Sequence, residues 1–566
     1  MRLRQLALAA VLAGLSMHCS SEDKAPDDGG VVEGRAGTLV ITTPERAAFI
    51  ADDTDEIEVH GKGATKALTI NGTPAEVDAD GSFHATVKPQ VGLNLVVAVD
   101  GESRLETPYL YGHFKSAKQP VPRAISLDVG AIAIAAPAPT ASLTSVTNLA
   151  LEGRNLVELL KGQSFSGDTS GVTFKFDVKD GSTGSAKVRL DPAAGGVGAN
   201  ASVPNLVIDG RLSITSFGVS YARDVRIQAK NASVEGDVKL GVDEAKGAFT
   251  AAMPNAKAEL EGFSFDTDDA GFPCCVDTIL SVILKSKLEQ AIGDGLRQEI
   301  PKIVQLTLHG MGVPKEIDLA AAKISAKVPV TTQFDSGAFD TSGGTLTAAT
   351  LFGGEYPPGS VGAEAPGWLA FGKPYVPSPR ATALGVSFSL DALNQFMFAV
   401  WGTGSASLDV PAPLDAKLTP GLPPVITITE TGALRIGLGE IRVQRGASPT
   451  PMAAVTVIQD VAARGDGDAL LLASKGESTV SITWLTDDVG ASGKNLIAVA
   501  AKEQLAKFLT SFRIPLPKVS LDGLGHGLTG KSLALKSPAV KLDGDGARVR
   551  LSGSTTLADA AQPATK

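Results

Sequence analysis

One order of elements occurs twice in this chain, and it restricts the folds open to it. Residues 124–354 read as helix, strands, long helix, strands, and residues 381–557 read the same way. The strands carry the sharper signal. Val172, Phe174, Phe176 and Val178 alternate with Thr173, Lys175, Asp177 and Lys179, so one face of that sheet is buried and the other solvated. Val188 and Leu190, Val225 and Ile227, and Val238 and Leu240 continue the alternation. A one-faced sheet needs cover, and amphipathic helices supply it. The first half offers a helix over residues 142–160, with Leu149, Leu156, Leu159 and Leu160 apolar. A longer one follows from about Cys275 to Ile300, where Ile279, Ile283, Leu284, Leu288, Ile292 and Leu296 recur at helical spacing. Asp277 suits its first turn, and Pro301 is expected to end or kink it. The second half offers residues 389–401, with Leu390, Leu393, Met397 and Val400, and residues 494–512, with Ile497, Ala501, Leu505 and Phe508.

A small β module precedes these halves, over residues 38–114. Asn71-Gly72 is a strong hairpin signal there, and Asp80-Gly81 and Asp100-Gly101 mark further turns. Residues 20–37 are acidic and Gly-rich and read as a flexible tether. Residues 355–380 are rich in Pro and Gly and read as a linker between the halves. Residues 558–566 read as a disordered tail.

At the N-terminus, Arg2 and Arg4 precede an apolar run over residues 6–15, too short to span a bilayer. Cys19 follows. Residues 1–19 resemble a bacterial lipoprotein signal peptide, which implies lipidation of Cys19 and a membrane anchor at the mature N-terminus. Ser20 after the cysteine points, by the same resemblance, to the outer membrane of the bacterial envelope. Cys274 and Cys275 are adjacent, leaving a vicinal disulfide or free thiols open.

Charge and motifs exclude several functions. Asp and Glu number 61 against 51 Lys and Arg, a formal net charge of −10, which argues against a nucleic-acid partner. The six histidines are scattered and neither H-E-x-x-H nor G-x-S-x-G occurs. No enzyme activity, metal or cofactor is expected. Residues 525–532 match G-x-x-x-x-G-K-[ST], but no helix is expected after them, so they read as a turn. Residues 266–277 echo a calcium loop, yet Ala occupies the fifth position and Asp the last, so they read as an acidic turn.

Residues 384–394 (LGVSFSLDALN), followed by Phe396-Met-Phe-Ala-Val-Trp401, resemble the start of the C-terminal barrel in one known family. That family is the bactericidal/permeability-increasing and lipopolysaccharide-binding proteins, of the tubular lipid-binding superfamily. Pro515-Leu516-Pro517, the linker, and a cysteine before the long helix fit the same pattern. The family's disulfide partner for that cysteine is missing here. Residues 68–83 with 91–94 resemble bacterial immunoglobulin-like modules. The resemblances imply an α+β, β-dominated chain: a small immunoglobulin-like β-sandwich, then two helix-packed, highly curved antiparallel β-barrels joined by a central sheet in a boomerang. The implied partner is phospholipid or another acylated lipid, which the protein would bind and, as a further expectation, transfer. Its acyl chains would lie between helices and sheets, lined by Leu156, Leu160, Ile279 and Ile283 in the first barrel. Leu393, Met397, Leu505 and Phe508 would line the second. The alternative is a structural or adhesive surface lipoprotein whose barrels are dry.

Overall fold

The computed structural model describes residues 31–559 apart from 36–38, 66, 139, 170–171, 217, 268–275, 310–314, 319–326, 354, 374, 376–382, 405–406, 411–414, 447, 449, 467–468, 487–496, 498, 500–512, 517–518, 525–527 and 544–546. Strands dominate it, in several curled sheets with helices laid against them.

The module at residues 38–114 consists of two sheets. Val40–Thr43, Ile57–Lys62, Phe83–Val87 and Glu76–Val77 form one; Thr69–Ile70, Gly92–Asp100 and Ser103–Lys115 belong to the other. Leu39, Val59, Leu68, Phe83, Val96 and Tyr109 are buried together in one core. Asn71 (φ 51°) and Gly72 (φ 81°) make the tight turn between Thr69–Ile70 and Thr73–Pro74, as the dipeptide led us to expect.

In the first half, the eight-stranded sheet is built around the hairpin of Gly196–Ser216 and Val219–Asp243. Its alternation is the expected one: Phe174, Phe176, Val188, Leu190, Val225, Ile227 and Val238 are buried, with Lys175 and Lys179 exposed. Helices among the described residues include α1 (Ala131–Ala135), α2 (Leu143–Leu151), α3 (Val276–His309), α4 (Val361–Glu364) and α5 (Leu390–Gly402).

One helix expectation is corrected and another is narrowed. The helix over residues 142–160 stops at Leu151, because Gly153 turns the chain at φ 71°; a separate 3-10 turn follows at Leu156–Leu159. Helix α3 does not end at Pro301 but runs through it. Ile303, Val304 and Leu308 beyond the proline are all buried. At about 1.5–3 kcal/mol each, their burial outweighs the ~3 kcal/mol penalty of an internal proline.

Between the halves lies an eight-stranded sheet in the order Glu316–Asp318, Lys327–Asp340, Gly343–Phe352, Val121–Gly130, Leu384–Ser389, Arg548–Asp559, Lys531–Asp543, Val519–Ser520. It joins strands from both halves through the antiparallel pair Val121–Gly130 and Leu384–Ser389. Arg550 is buried in it, with Nη2 2.7 Å from Asp128 Oδ2 and Nη1 3.3 Å from Asp543 Oδ2.

The second half carries a nine-stranded sheet around Leu434–Arg445 and Ala453–Asp466. Helix α5 covers it, opened by Ser389, whose hydroxyl accepts from Ala392 N–H. Its buried polar residues are satisfied: Asn394 exchanges two hydrogen bonds with the Ile426 backbone, and Gln395 accepts from Phe352 N–H.

Three segments read as connectors are ordered parts of these sheets. Val31–Arg35, inside the expected tether, lies parallel to Thr479–Trp484 as an edge strand. Trp368–Ala370, inside the expected linker, is a buried strand paired with His113–Lys115. Arg548–Asp559 reaches into the expected tail. Pairing across hundreds of residues supplies the hydrogen bonds that local composition does not announce.

Candidate functional site: an apolar crevice under the long helix

Helix α3 lies along Ala248–Ala252 and Ala256–Glu261. Two side chains fasten it there: Gln305 donates to Phe249 C=O (2.8 Å), and Glu289 accepts from Leu260 N–H (2.9 Å). Toward its middle, the 3-10 turn Leu156–Leu159 faces it across a gap. Asn155 fixes that turn, accepting from Val157 N–H and donating to Gly181 C=O, while Thr183 accepts from Leu156 N–H. Arg154 Nη1 lies 3.1 Å from Glu299 Oε2 and ties the turn to the helix.

The gap is an apolar crevice lined by Leu156, Leu159 and Leu160 on one side, Val203, Leu206 and Ala232 on the sheet, and Ala291, Ile292, Gly295 and Leu296 on α3. Its volume is about 20 Å³, the room of roughly one water. Gly295 allows the close approach: a Cβ there would stand 3.3 Å from Leu159 Cδ1.

A polar groove of about 530 Å³ borders the crevice and shares Leu159, Ala291 and Gly295 with it. Lys287, Gln290, Asp294, Gln298 and Glu299 line the groove. Leu159, 38% exposed, stands where the two meet. An apolar slot opening on a polar groove suits an amphiphile, with the tail in the slot and the polar end in the groove. Among the described residues, no three His, Cys, Asp or Glu side chains gather as metal ligands, and no helix is long and apolar enough to cross a membrane.

Leu156 and Leu160 line the crevice, as do Ile292 and Leu296 from the expected amphipathic face. Ile283 is half-buried against the main core and lines no part of it. Leu393 and Met397 are buried within α5 and line neither the crevice nor the polar groove beside it. Ile279 falls in α3 with its side chain outside the description; Cys19, Cys274, Cys275, Leu505 and Phe508 lie outside the described residues. Leu159, Leu206, Ala291 and Gly295 were missed. The small residues Ala291, Gly293 and Gly295 within an amphipathic helix were the available signal, since glycine in a helix marks close approach. His60 and His84 are paired neighbours on adjacent strands of one sheet of the small module, each beside its own glutamate, Glu58 and Glu76. Past the phosphate-loop-like motif the chain forms the strand Lys531–Asp543.

No protein-family model matches the chain, and no curated protein sequence is similar to it. Solved structures similar to it include lipopolysaccharide binding protein, at 11% identity and TM-score 0.39, covering 78% of this chain and 100% of that one. P47 of Clostridium botulinum E1 gives 8% identity and TM-score 0.27 over 77% of this chain and 99% of that one. Takeout 1 of Epiphyas postvittana gives 16% and 0.17 over 29% and 85%. At these scores none of them assigns the chain to a family.

Proposed function

We propose that this protein binds an acylated lipid, phospholipid or another amphiphile, through the crevice under α3, without catalysing a reaction. The observation that carries the reading is the junction at Leu159 and Gly295, where an apolar slot meets a polar groove. An acyl chain needs far more room than 20 Å³. Binding therefore moves the 3-10 turn away from α3, with Leu159 as the mobile wall. Burial of a tail contributes roughly 0.8 kcal/mol per methylene, ample to offset the leucine packing disrupted when the slot opens. In this reading Cys19 carries a lipid anchor that holds the protein at the bacterial envelope, on the outer membrane, and transfer between membranes is the service performed. The residue 38–114 module serves as an immunoglobulin-like spacer.

The narrowness of the crevice favours a second reading, a structural or adhesive surface protein with dry, packed barrels. Incubating the full-length chain with fluorescent phosphatidylcholine vesicles and measuring protein-bound lipid separates the two. Saturable uptake supports the carrier; its absence in folded protein supports the dry alternative.

A further inference from the structure

A second cavity, of about 400 Å³, lies where the central sheet meets the start of α5, and it shares no lining residue with the crevice. Lys115, Arg123, Lys373, Tyr375, Asp391 and Arg548 line it. Four cationic side chains around one carboxylate stand out in a chain with a net charge of −10.

Arg548 is only 5% exposed, yet its guanidinium meets neutral acceptors. Nε donates to Ser387 Oγ (2.9 Å), Nη1 to Arg123 C=O (2.9 Å), and Nη2 to the carbonyls of Ala124 and Ser387 (3.4 and 3.3 Å). The nearby carboxylates are engaged elsewhere. Asp128 and Asp543 hold Arg550, and Asp335 accepts from Arg123 N–H. Asp391 turns to the backbone, accepting from Phe371 N–H at 2.7 Å. Among the described residues, no carboxylate pairs with Lys115, Arg123, Lys373 or Arg548 within 4.0 Å. A buried cation without a directly paired anion is costly to keep, and burial pushes the Arg548 guanidinium down to about 10.

Two like charges also converge on one ring. The guanidinium carbons of Arg548 and Arg123 stand 5.0 and 5.6 Å from the centre of Tyr375. The ring's π-face offsets part of their repulsion; an anion between them would offset the rest. Four of the five Arg548 N–H groups are taken by its neutral acceptors, leaving one on Nη1 for an anion, while the Arg123 fork can match phosphate oxygens in bidentate geometry. The cavity is larger than a bare phosphate, and Phe371 and Tyr375 offer apolar faces for an organic group.

We propose that this cavity is a binding site for a phosphate ester, whose dianionic group is held by Arg548, Arg123 and Lys373 and whose organic part lies against Tyr375.

The test is calorimetric titration of the full-length chain with inorganic phosphate, with dihexanoyl phosphatidic acid, and with uncharged dihexanoylglycerol. The comparison is a double variant, Arg123→Gln with Lys373→Gln; both residues are exposed, so the fold is retained. The proposal expects a phosphate-bearing probe to bind and the double variant to weaken it at least about tenfold. Binding of inorganic phosphate identifies a water-soluble ester as the source; binding of phosphatidic acid alone identifies a lipid headgroup. No binding of either phosphate probe overturns the proposal. So does dihexanoylglycerol binding as tightly as phosphatidic acid, or affinity unchanged in the variant. Lipid uptake by the crevice is read separately, so either idea can fail without the other.

Discussion

Arg46 and Glu440, 394 residues apart, form a two-pronged ion pair: Nη2 stands 2.8 Å from Oε2 and Nε 3.3 Å from Oε1. It fastens the small β module to the second-half sheet. The Glu440 side chain is 3% exposed and sits at φ 51°, where the Leu434–Arg445 strand shifts register. Arg46 Nη1 also donates to Glu106 C=O at 2.6 Å, and Ser481 donates to the buried Glu106 carboxylate. The module is therefore held on that sheet rather than carried loosely ahead of it. Arg46→Ala leaves the buried Glu440 carboxylate only its longer contact to Arg442 Nε, at 3.7 Å, and is expected to cost about 3 kcal/mol in the first unfolding transition, measured by chemical denaturation. A cost below about 0.5 kcal/mol, as for an exposed pair, would show that the contact does not hold the module.

Gly295→Phe is expected to fill the crevice. The new Cβ stands 3.3 Å from Leu159 Cδ1 with the ring beyond it, and Leu159 is exposed enough to swing outward. Folding should survive at a cost of about 1–3 kcal/mol for overpacking, while vesicle-derived lipid on the protein should fall to background. Retained lipid in a folded Gly295→Phe protein places the lipid elsewhere.

Leu393→Ala distinguishes core from pocket in the second half. Leu393 is buried and lines neither the crevice nor the groove, so its truncation is expected to cost about 2–5 kcal/mol and leave lipid uptake per folded molecule unchanged. Thermal denaturation and a binding isotherm read the two effects.

Burial raises the Asp391 carboxyl above its ordinary value, partly countered by the backbone N–H groups of Phe371 and Gly372. The folded state thus keeps a proton that the unfolded state has lost. Asp391's contribution to stability falls as pH rises from the unfolded value of 3.8 through the raised folded value, then levels off. Asp391→Asn removes that fall. The Tm of the variant relative to wild type is expected to climb as pH rises above 3.8 and to stay level if the carboxyl is not raised. The same variant removes the cavity's one carboxylate and should tighten phosphate binding.

Much of the fold was legible where the signal is local. Val172, Phe174, Phe176 and Val178 showed a one-faced sheet because strand periodicity is written in adjacent residues. Leu390, Leu393 and Met397 showed helix α5, although every residue from Ala392 to Gly402 is buried, while Ser389, read as its first residue, is its cap. What sequence could not show depends on distant partners. Val31–Arg35 is a strand only because Thr479–Trp484 offers an edge, and α3 passes Pro301 only because a core waits for Ile303, Val304 and Leu308. In the site, Leu156 and Leu160 were reachable from apolar spacing. Gly295 was not, because its value is the space it leaves for Leu159. Arg548 was equally hidden, since its chemistry comes from Tyr375 and Arg123 brought beside it by the central sheet.

Whether the protein carries lipid is read most simply by mass spectrometry of an organic extract from full-length protein purified under native conditions. Stoichiometric acylated lipid, lost in Gly295→Phe, is the expected result. An empty wild-type protein that also refuses added phospholipid would contradict lipid carriage.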